Sequence, residues 1–392
     1  MRVIKADSFH RPAQRQFGVT LGALLFAAGL IAGAAHAQQT DTVAPRLVNA
    51  HMEKRAAAGR LSAEIREFAA AQAQPAWLGY AVAALPDHGE SCCWDSYENA
   101  RMRGCGRCAL ESEKGITVQA GPPEKMDSKG EAGGTVHLEG SGALIVMLRA
   151  ADHRIERVRE FSEDCEIDAG GLRVLWLTGV TGAESAAALA PLVTGADFDS
   201  HDGRQLAEGA MAAIAMHADP AADRALASFT EPGRVEKLRS QAAFWLGNSR
   251  GDAGLAVLEK MAKSDPSDHV RSQVSFALSQ NGSPRAIDDM IRMAHDDQSG
   301  HVRGQAMFWL AQKAGKKAAG AITDAIENDP DTATKKAAVF ALTQMPADEG
   351  VPLLIQVAKT NKNPVVRKQA FFWLGESKDP RALAFFEQVL SR

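Results

Sequence analysis

The sequence holds no Gly-rich phosphate loop, no nucleophile elbow and no His-Glu-x-x-His helix, so the motifs that announce phosphoryl transfer, acyl transfer and zinc hydrolysis are missing. Cysteine is scarce, with five in 392 residues, all between positions 92 and 165. Charge of one sign is not concentrated either. Residues 38–233 hold 18 Lys and Arg against 29 Asp and Glu, and residues 234–392 hold 22 against 18. Neither part carries the clustered basic charge that nucleic acid requires, and that partner is excluded. One long apolar run occurs, from Phe17 to Ala35.

That run follows Arg2, Lys5, Arg11 and Arg15 and ends in Ala35-His36-Ala37 before Gln38. A basic start, an apolar stretch and a small-x-small ending are the signature of a cleaved export signal. Residues 1–37 are therefore expected to be a signal peptide, with the mature chain exported to the periplasm or secreted. No stable membrane insertion is expected after cleavage. The alternative is a retained N-terminal membrane anchor, since the run is just long enough to span. No Cys stands at the new N-terminus, so no lipid anchor is implied.

From Arg234 to Arg392 one unit of 32 residues is written five times. Phe244, Phe276, Phe308, Phe340 and Phe372 keep the interval, as do Leu246, Leu278, Leu310, Leu342 and Leu374. A second apolar set, from Leu255 to Leu383 and from Leu258 to Phe386, keeps it in the other half of the unit. Leu238, Ala242, Trp245 and Leu246 have helical spacing, as do Leu255, Leu258, Met261 and Ala262, so each unit is expected to be two amphipathic helices. Turn residues separate them at 247–252, 281–284, 345–350 and 377–380, and separate the units at 265–268, 296–300, 328–331 and 361–364. Ala210, Ile214, Leu226 and Phe229 fall in the same columns as Ala242, Leu246, Leu258 and Met261, which predicts a sixth, degenerate repeat opening the array near Ser200.

The segments HVRSQVSFALSQ from His269, HVRGQAMFWLAQ from His301 and VVRKQAFFWLGE from Val365 carry a Val-Arg pair followed by Ala, or Val in the first, and Leu four residues further on. In this the stretch over about residues 200–392 resembles the HEAT-repeat family, specifically the short HEAT-like repeats of the phycobilisome-lyase type. The resemblance implies a stacking scaffold that binds other macromolecules. Unit four departs from the pattern, with Ala333 to Lys336 in place of the Val-Arg, and a weaker seam is expected there.

Ahead of the array, residues 38–75 read as an N-terminal helix with Leu61, Ile65, Phe68 and Ala69 on one face. Residues 76–182 read as a small cysteine-containing α+β domain with an antiparallel sheet, its strand candidates at 77–85, 135–149, 154–161 and 172–177. A loop is expected at 111–134, and a helix at 183–193 opens the solenoid part, residues 183–392. Cys92, Cys93, Cys105, Cys108 and Cys165 all fall in the small domain. In an oxidising compartment they are disulfide candidates, with one left over because five is odd. The alternative is a metal site made of Cys92, Cys93, Cys105 and Cys108, or a redox-active Cys105-x-x-Cys108.

Three columns of the repeat are candidates for either packing or binding. Arg239, Arg271, Arg303, Lys335 and Arg367 are expected to pair with carboxylates or carbonyls of the neighbouring unit, the rival reading being an anion track. The Phe column is expected to pack. The column Trp245, Ala277, Trp309, Ala341, Trp373 alternates, and Ile291 and Ile355 appear in the units that lack Trp, which reads as volume compensation. The rival is an aromatic row that grips a glycan or protein. His269 and His301 are one period apart, yet their place in the first turn of a helix explains them better than metal ligation does. On the second helices, Lys260, Arg292, Asp324, Gln356, Gln388 and Lys263, His295, Glu327, Lys359, Ser391 keep no single sign, which favours a protein or peptide partner. The last helix keeps its full apolar set and adds Phe385 beside Phe386, so these two are expected to form a docking face for the partner or for a homodimer. The expectation is a mainly α protein, an α-solenoid of HEAT-like helix pairs preceded by a small α+β domain, that works as a non-enzymatic binding scaffold without a cofactor. The alternatives are an envelope redox or metal-handling protein using the cysteine cluster, or a lyase-like enzyme by family resemblance alone.

Overall fold

The computed structural model describes residues 43–86, 108–111 and 142–391. The predicted signal, Cys92, Cys93, Cys105 and nearly all of the expected loop at 111–134 lie outside the described residues. The chain opens with two short strands, β1 (Arg46–Val48) and β2 (His51–Ala56), then α1 (Leu61–Ala71) and β3 (Ala76–Ala83). After β4 (Cys108–Ala109) come β5 (Ala143–Ala151), β6 (Arg154–Ser162), β7 (Glu166–Asp168) and β8 (Arg173–Thr178).

Five strands form one sheet in the order β2-β8-β3-β5-β6, and three form a smaller one in the order β1-β7-β4. The larger sheet is mixed rather than antiparallel as the sequence led us to expect. β3, β5 and β6 are antiparallel neighbours, whereas β8 lies parallel to both β2 and β3. The hairpin half was legible because Asp152 and His153, both at positive φ, make the two-residue turn between β5 and β6. The parallel half has no local signature: β2 and β3 are joined through α1, and β8 enters between them from far along the chain. Residues 51–56, expected within an N-terminal helix, form strand β2 instead; all six are exposed, so no apolar alternation marks it.

The sheet is buried on both faces, which is why β3 and β5 are almost continuously apolar. Leu78, Tyr80, Val82, Leu144, Val146, Leu148, Leu175 and Leu177 face the helices. Trp77, Ile145, Met147, Val174 and Trp176 face the smaller sheet, where Cys108, Leu110, Phe161, Cys165 and Ile167 complete a second core. Gly79 keeps that second core closed, because a Cβ there would stand 2.4 Å from Met147 Sδ and 3.0 Å from the Trp176 ring. Glu111 ties the β4 segment down, accepting from Trp77 Nε1 at 2.7 Å and from Arg149 Nη2 at 2.8 Å.

The helical part begins with α2 (Gly182–Thr194), whose Thr181 and Glu184 form a capping box, and continues with α3 (His201–Met216) and α4 (Ala221–Phe229). The last two are the degenerate repeat, with Ala210, Ile214, Leu226 and Phe229 fully buried. The five regular units follow as α5 (Glu236–Ser249) with α6 (Gly251–Ser264), α7 (Asp268–Gln280) with α8 (Arg285–Asp296), α9 (Gly300–Ala314) with α10 (Lys316–Asn328), α11 (Thr332–Leu342) with α12 (Ala347–Thr360), and α13 (Pro364–Glu376) with α14 (Pro380–Leu390). Ser267, Asp331, Asn363 and Asp379 cap α7, α11, α13 and α14 from the predicted turns. One apolar core runs from α1, through the helix-side face of the sheet, to Phe385.

The sheet and the array meet at α3. Gly209 lets this helix touch the backbone of β6, since a Cβ there would stand 2.1 Å from the Val158 carbonyl oxygen. At the end of α3 the chain pairs with the end of β3: the Leu85 N–H donates to the Met216 carbonyl at 2.9 Å, and Ala218 N–H to that of Ala83 at 2.9 Å. His217 is fully buried in this seam, with Nδ1 against the Ala213 carbonyl and Nε2 unpartnered. Burial, and then the nearby Arg250 guanidinium, push its pKa down to about 4. The folded value lies below the unfolded one of about 6.5, so stability is full above that pH and is lost as pH falls from about 6.5 towards 4. We expect His217 to account for a loss of about 3 kcal/mol over that window. His217→Asn, whose amide can still donate to Ala213, should flatten the curve in urea unfolding measured at stepped pH. Curves that run parallel for the two proteins would overturn this.

Candidate interaction surface

The cationic column is built into the turns between units. Asp265, Asp297 and Asp329 each accept from the N–H two residues on, at 2.9, 2.8 and 2.8 Å. Each also receives a two-pronged bond from the Arg 26 residues earlier. Arg239 Nε and Nη2 lie 2.8 and 3.0 Å from Asp265, Arg271 2.7 and 3.0 Å from Asp297, and Arg303 2.7 and 2.9 Å from Asp329. The remaining Nη1 donates to the turn before its own helix: Arg271 to the Asp265 carbonyl and Arg303 to the Asp297 carbonyl, both at 2.8 Å. Each of these two guanidiniums therefore staples two successive turns. The hydrogen bonds donated to Asp297 and Asp329 raise the pKa of Arg271 and Arg303 above the usual value, against the opposing effect of burial. These side chains are buried, and the packing role expected for the column holds for them.

Unit four changes both partners. Lys335 replaces the Arg and donates to the Glu327 carbonyl, and Asn361 replaces the Asp. A lysine cannot make the planar fork, and a buried carboxylate left without it would be costly. Asn361, 3% exposed, instead donates to Glu327 Oε1 at 3.1 Å and keeps the turn bond to Asn363 N–H at 3.0 Å.

On the outer side of the first helices the aromatic columns join. Ring contacts run without a break from Trp245 to Phe244 (5.2 Å), Phe276 (6.1 Å), Trp309 (4.6 Å), Phe308 (4.8 Å), Phe340 (5.9 Å), Trp373 (5.0 Å) and Phe372 (4.9 Å). The indoles of Trp309 and Trp373 close the seam with the preceding unit, resting on Phe276 and Phe340. Where the next unit has Ala277 or Ala341 instead, two Phe rings close the seam by stacking. The alternation thus works across seams, and Ile291 and Ile355 pack against the core in the units without Trp. The rings are half-buried except Phe372, which is 53% exposed. Gln241, Gln273, Gln305 and Gln369 line one side of them, and Asn248, Gln280, Gln312 and Gln344 the other. These amides escaped the sequence reading although they repeat with the same period of 32.

The second-helix columns are mostly exposed and mixed in sign, as the sequence indicated. Asp296 holds the His295 pKa above its usual value through a 2.6 Å bond, and Asp324 lies 3.8 Å from the other ring nitrogen. A pocket of ≈390 Å³ opens between α4 and α6, lined by Arg224, Ser228, Thr230, Glu231, Lys260 and Asp265.

Cys108 and Cys165 are buried in the second core, at 2% and 1% exposure. They are the described members of the disulfide set, and Cys108 of the metal set. Among the described residues no group of three or more His, Cys, Asp or Glu is placed to hold a metal ion. The docking face expected at Phe385 and Phe386 is corrected. Phe385 is 4% exposed, stacked on Phe371 of its own unit at 5.5 Å, with Lys359 over its ring at 5.3 Å. Phe386 is half-buried against the same Phe371 at 6.1 Å. The unit supplies its own second aromatic layer, which the column comparison could not reveal because no other unit has Phe at position 371's equivalent.

Residues 224–311 and 320–392 match the family model described as HEAT repeats. This part of the chain is a HEAT-repeat array. Among solved structures, that of human deoxyhypusine hydroxylase in complex with glycerol is similar at 15% identity and a TM-score of 0.29, over 53% of this chain and 90% of that one. A Kap121p mutant is similar at 13% identity and a TM-score of 0.31, over 49% of this chain and 27% of that one. No curated protein sequence matches the chain.

The ladder makes a measurable prediction within the HEAT array. Arg271→Gln strands a buried carboxylate and should cost about 3 kcal/mol of stability. Adding Asp297→Asn, which moves this seam towards the unit-four chemistry, should recover part of that loss. Urea midpoints of the two single variants and the double variant give the coupling. Strictly additive effects would overturn the ladder as described.

Proposed function

We propose that the protein is an exported, non-enzymatic scaffold whose HEAT-repeat surface binds a protein or peptide partner. The observation that carries this reading is the fate of the regular columns. The Arg ladder is used up in the turns, which leaves no repeating cation for a polyanion to follow. What stays at the surface is a repeating helical face of mixed charge on one side and amides with half-buried rings on the other, the kind of chemistry found where proteins meet. In-cell photo-crosslinking tests it, with benzoylphenylalanine placed at Lys260, Gln356 or Gln305 and, as a control, at Glu67 on α1. Discrete adducts with a polypeptide from the repeat positions and none from Glu67 are the expected result. No adducts from any repeat position would overturn it.

Export rests on the signal-like N-terminus, and the buried Cys108 and Cys165 fit an oxidising compartment in which disulfides reinforce a small core. No helix among the described residues is long and apolar enough to cross a membrane. Intact-mass analysis of the protein purified from its natural compartment checks both points. The mature chain should begin at Gln38 and react with alkylating reagent chiefly after reduction. A chain beginning at Met1 favours the membrane anchor, and thiols open to alkylation or loaded with metal favour the redox or metal-handling alternative. Each of those results counts against the proposal.

A further inference from the structure

We propose that the aromatic and amide stripe on the first helices is the partner-binding surface, and that its ligand is an extended, uncharged polypeptide segment. The inference rests on the scaffold reading and narrows it to one face and one chemistry. At the seams the Phe rings lie nearly parallel, with 13° between Phe244 and Phe276 and 14° between Phe308 and Phe340. Within a unit Phe and Trp meet edge to face, at 69°, 82° and 77°. Ring faces are thereby partly spent on one another, and a sugar, which offers C–H groups to an open ring face, finds few faces free.

The flanking residues carry the same message. The Gln and Asn columns on either side offer both donors and acceptors without charge, and the stripe holds no Lys, Arg or Asp, with Glu376 standing at its last position. Gln241, Gln280 and Gln344 donate to Glu208, Ser279 and Thr343, but Gln241 Oε1 and the Trp373 indole N–H are buried without a partner, and Gln312 reaches Gln344 only at 3.4 Å. Over the first three units a charged ligand would lose its hydration with no cationic counter-charge in return; Lys336 and Lys368 stand exposed one turn before Phe340 and Phe372 in the last two. A peptide backbone, with alternating N–H and C=O, matches the donors and acceptors of the amide columns. Packed helices stand about 8–10 Å apart, so five first helices span about 32–40 Å. That is the reach of roughly ten to twelve extended residues at about 3.3 Å each.

The test is selection of displayed random dodecapeptides on the full-length protein, followed by binding measurements on two double variants. Gln273→Glu with Gln305→Glu puts charge in the stripe and leaves the rings in place, and circular dichroism confirms the fold. Lys260→Glu with Arg292→Glu alters the second-helix face. Selected peptides should be poor in charged residues, lose at least tenfold in affinity for the stripe variant, and bind the second-helix variant as they bind the wild type. Peptides that ignore the stripe variant but fail on the second-helix variant would sink this inference while leaving the scaffold reading intact. If no peptide is enriched, this inference falls, while the scaffold reading, which allows a folded protein partner, is decided by the crosslinking. Cellohexaose binding that the stripe variant abolishes, with no peptide selected, would assign the surface to glycan and also overturn the proposal.

Discussion

A pair of short amphipathic helices cannot bury its own apolar stripe, and this constraint shapes the whole molecule. Each unit of the array leaves Leu, Val, Met and Ala side chains that only a neighbouring unit can cover, so the core is a column rather than a centre. The first unit has no earlier repeat to lean on. The sheet takes that place: its helix-side face continues the apolar column, Gly209 allows α3 to close upon β6, and the end of β3 hydrogen-bonds to the end of α3. The N-terminal region is therefore a cap for the solenoid as well as a structure with its own second core.

Apolar stacking fixes that units pack but leaves their relative rotation loosely determined, because the helices are small and rich in Ala. Two polar and aromatic systems restrict it. The Arg–Asp staples join successive turns on one side of the array, where directional, charge-assisted bonds tolerate little sliding. The ring contacts do so on the outer side of the first helices, where Phe meets Phe or Trp across each seam. Unit four relaxes one of these systems and keeps the other: Lys335 and Asn361 replace the staple, while Phe340 still meets both neighbours. Changing both partners together avoids the unpaired buried charge that changing either alone would create.

For function, the consequence is a division of labour among features that looked equivalent in one dimension. The Arg–Asp staples and the ring contacts hold the array together. The amides and the mixed charges of the second helices are left at the surface. A repeat protein shows the same chemistry at a regular interval, which suits a ligand that is itself extended.

The sequence by itself determined the repeat, its length, its two helices per unit and the degenerate unit at Ser200, because periodic burial writes periodic residues. It also showed the Arg column as a pairing ladder, since a cation recurring beside turn carboxylates has an evident partner. It did not show the parallel half of the sheet, because β2 is exposed throughout and β8 reaches it from 120 residues away, as the pairing of Glu53 with Arg173 illustrates. Nor could it place the aromatics. Whether Trp309 fills its own unit or the seam before it, and whether Phe385 faces outward or lies on Phe371, depends on how the helices rotate about their axes, and that rotation is settled only when every neighbour is packed at once.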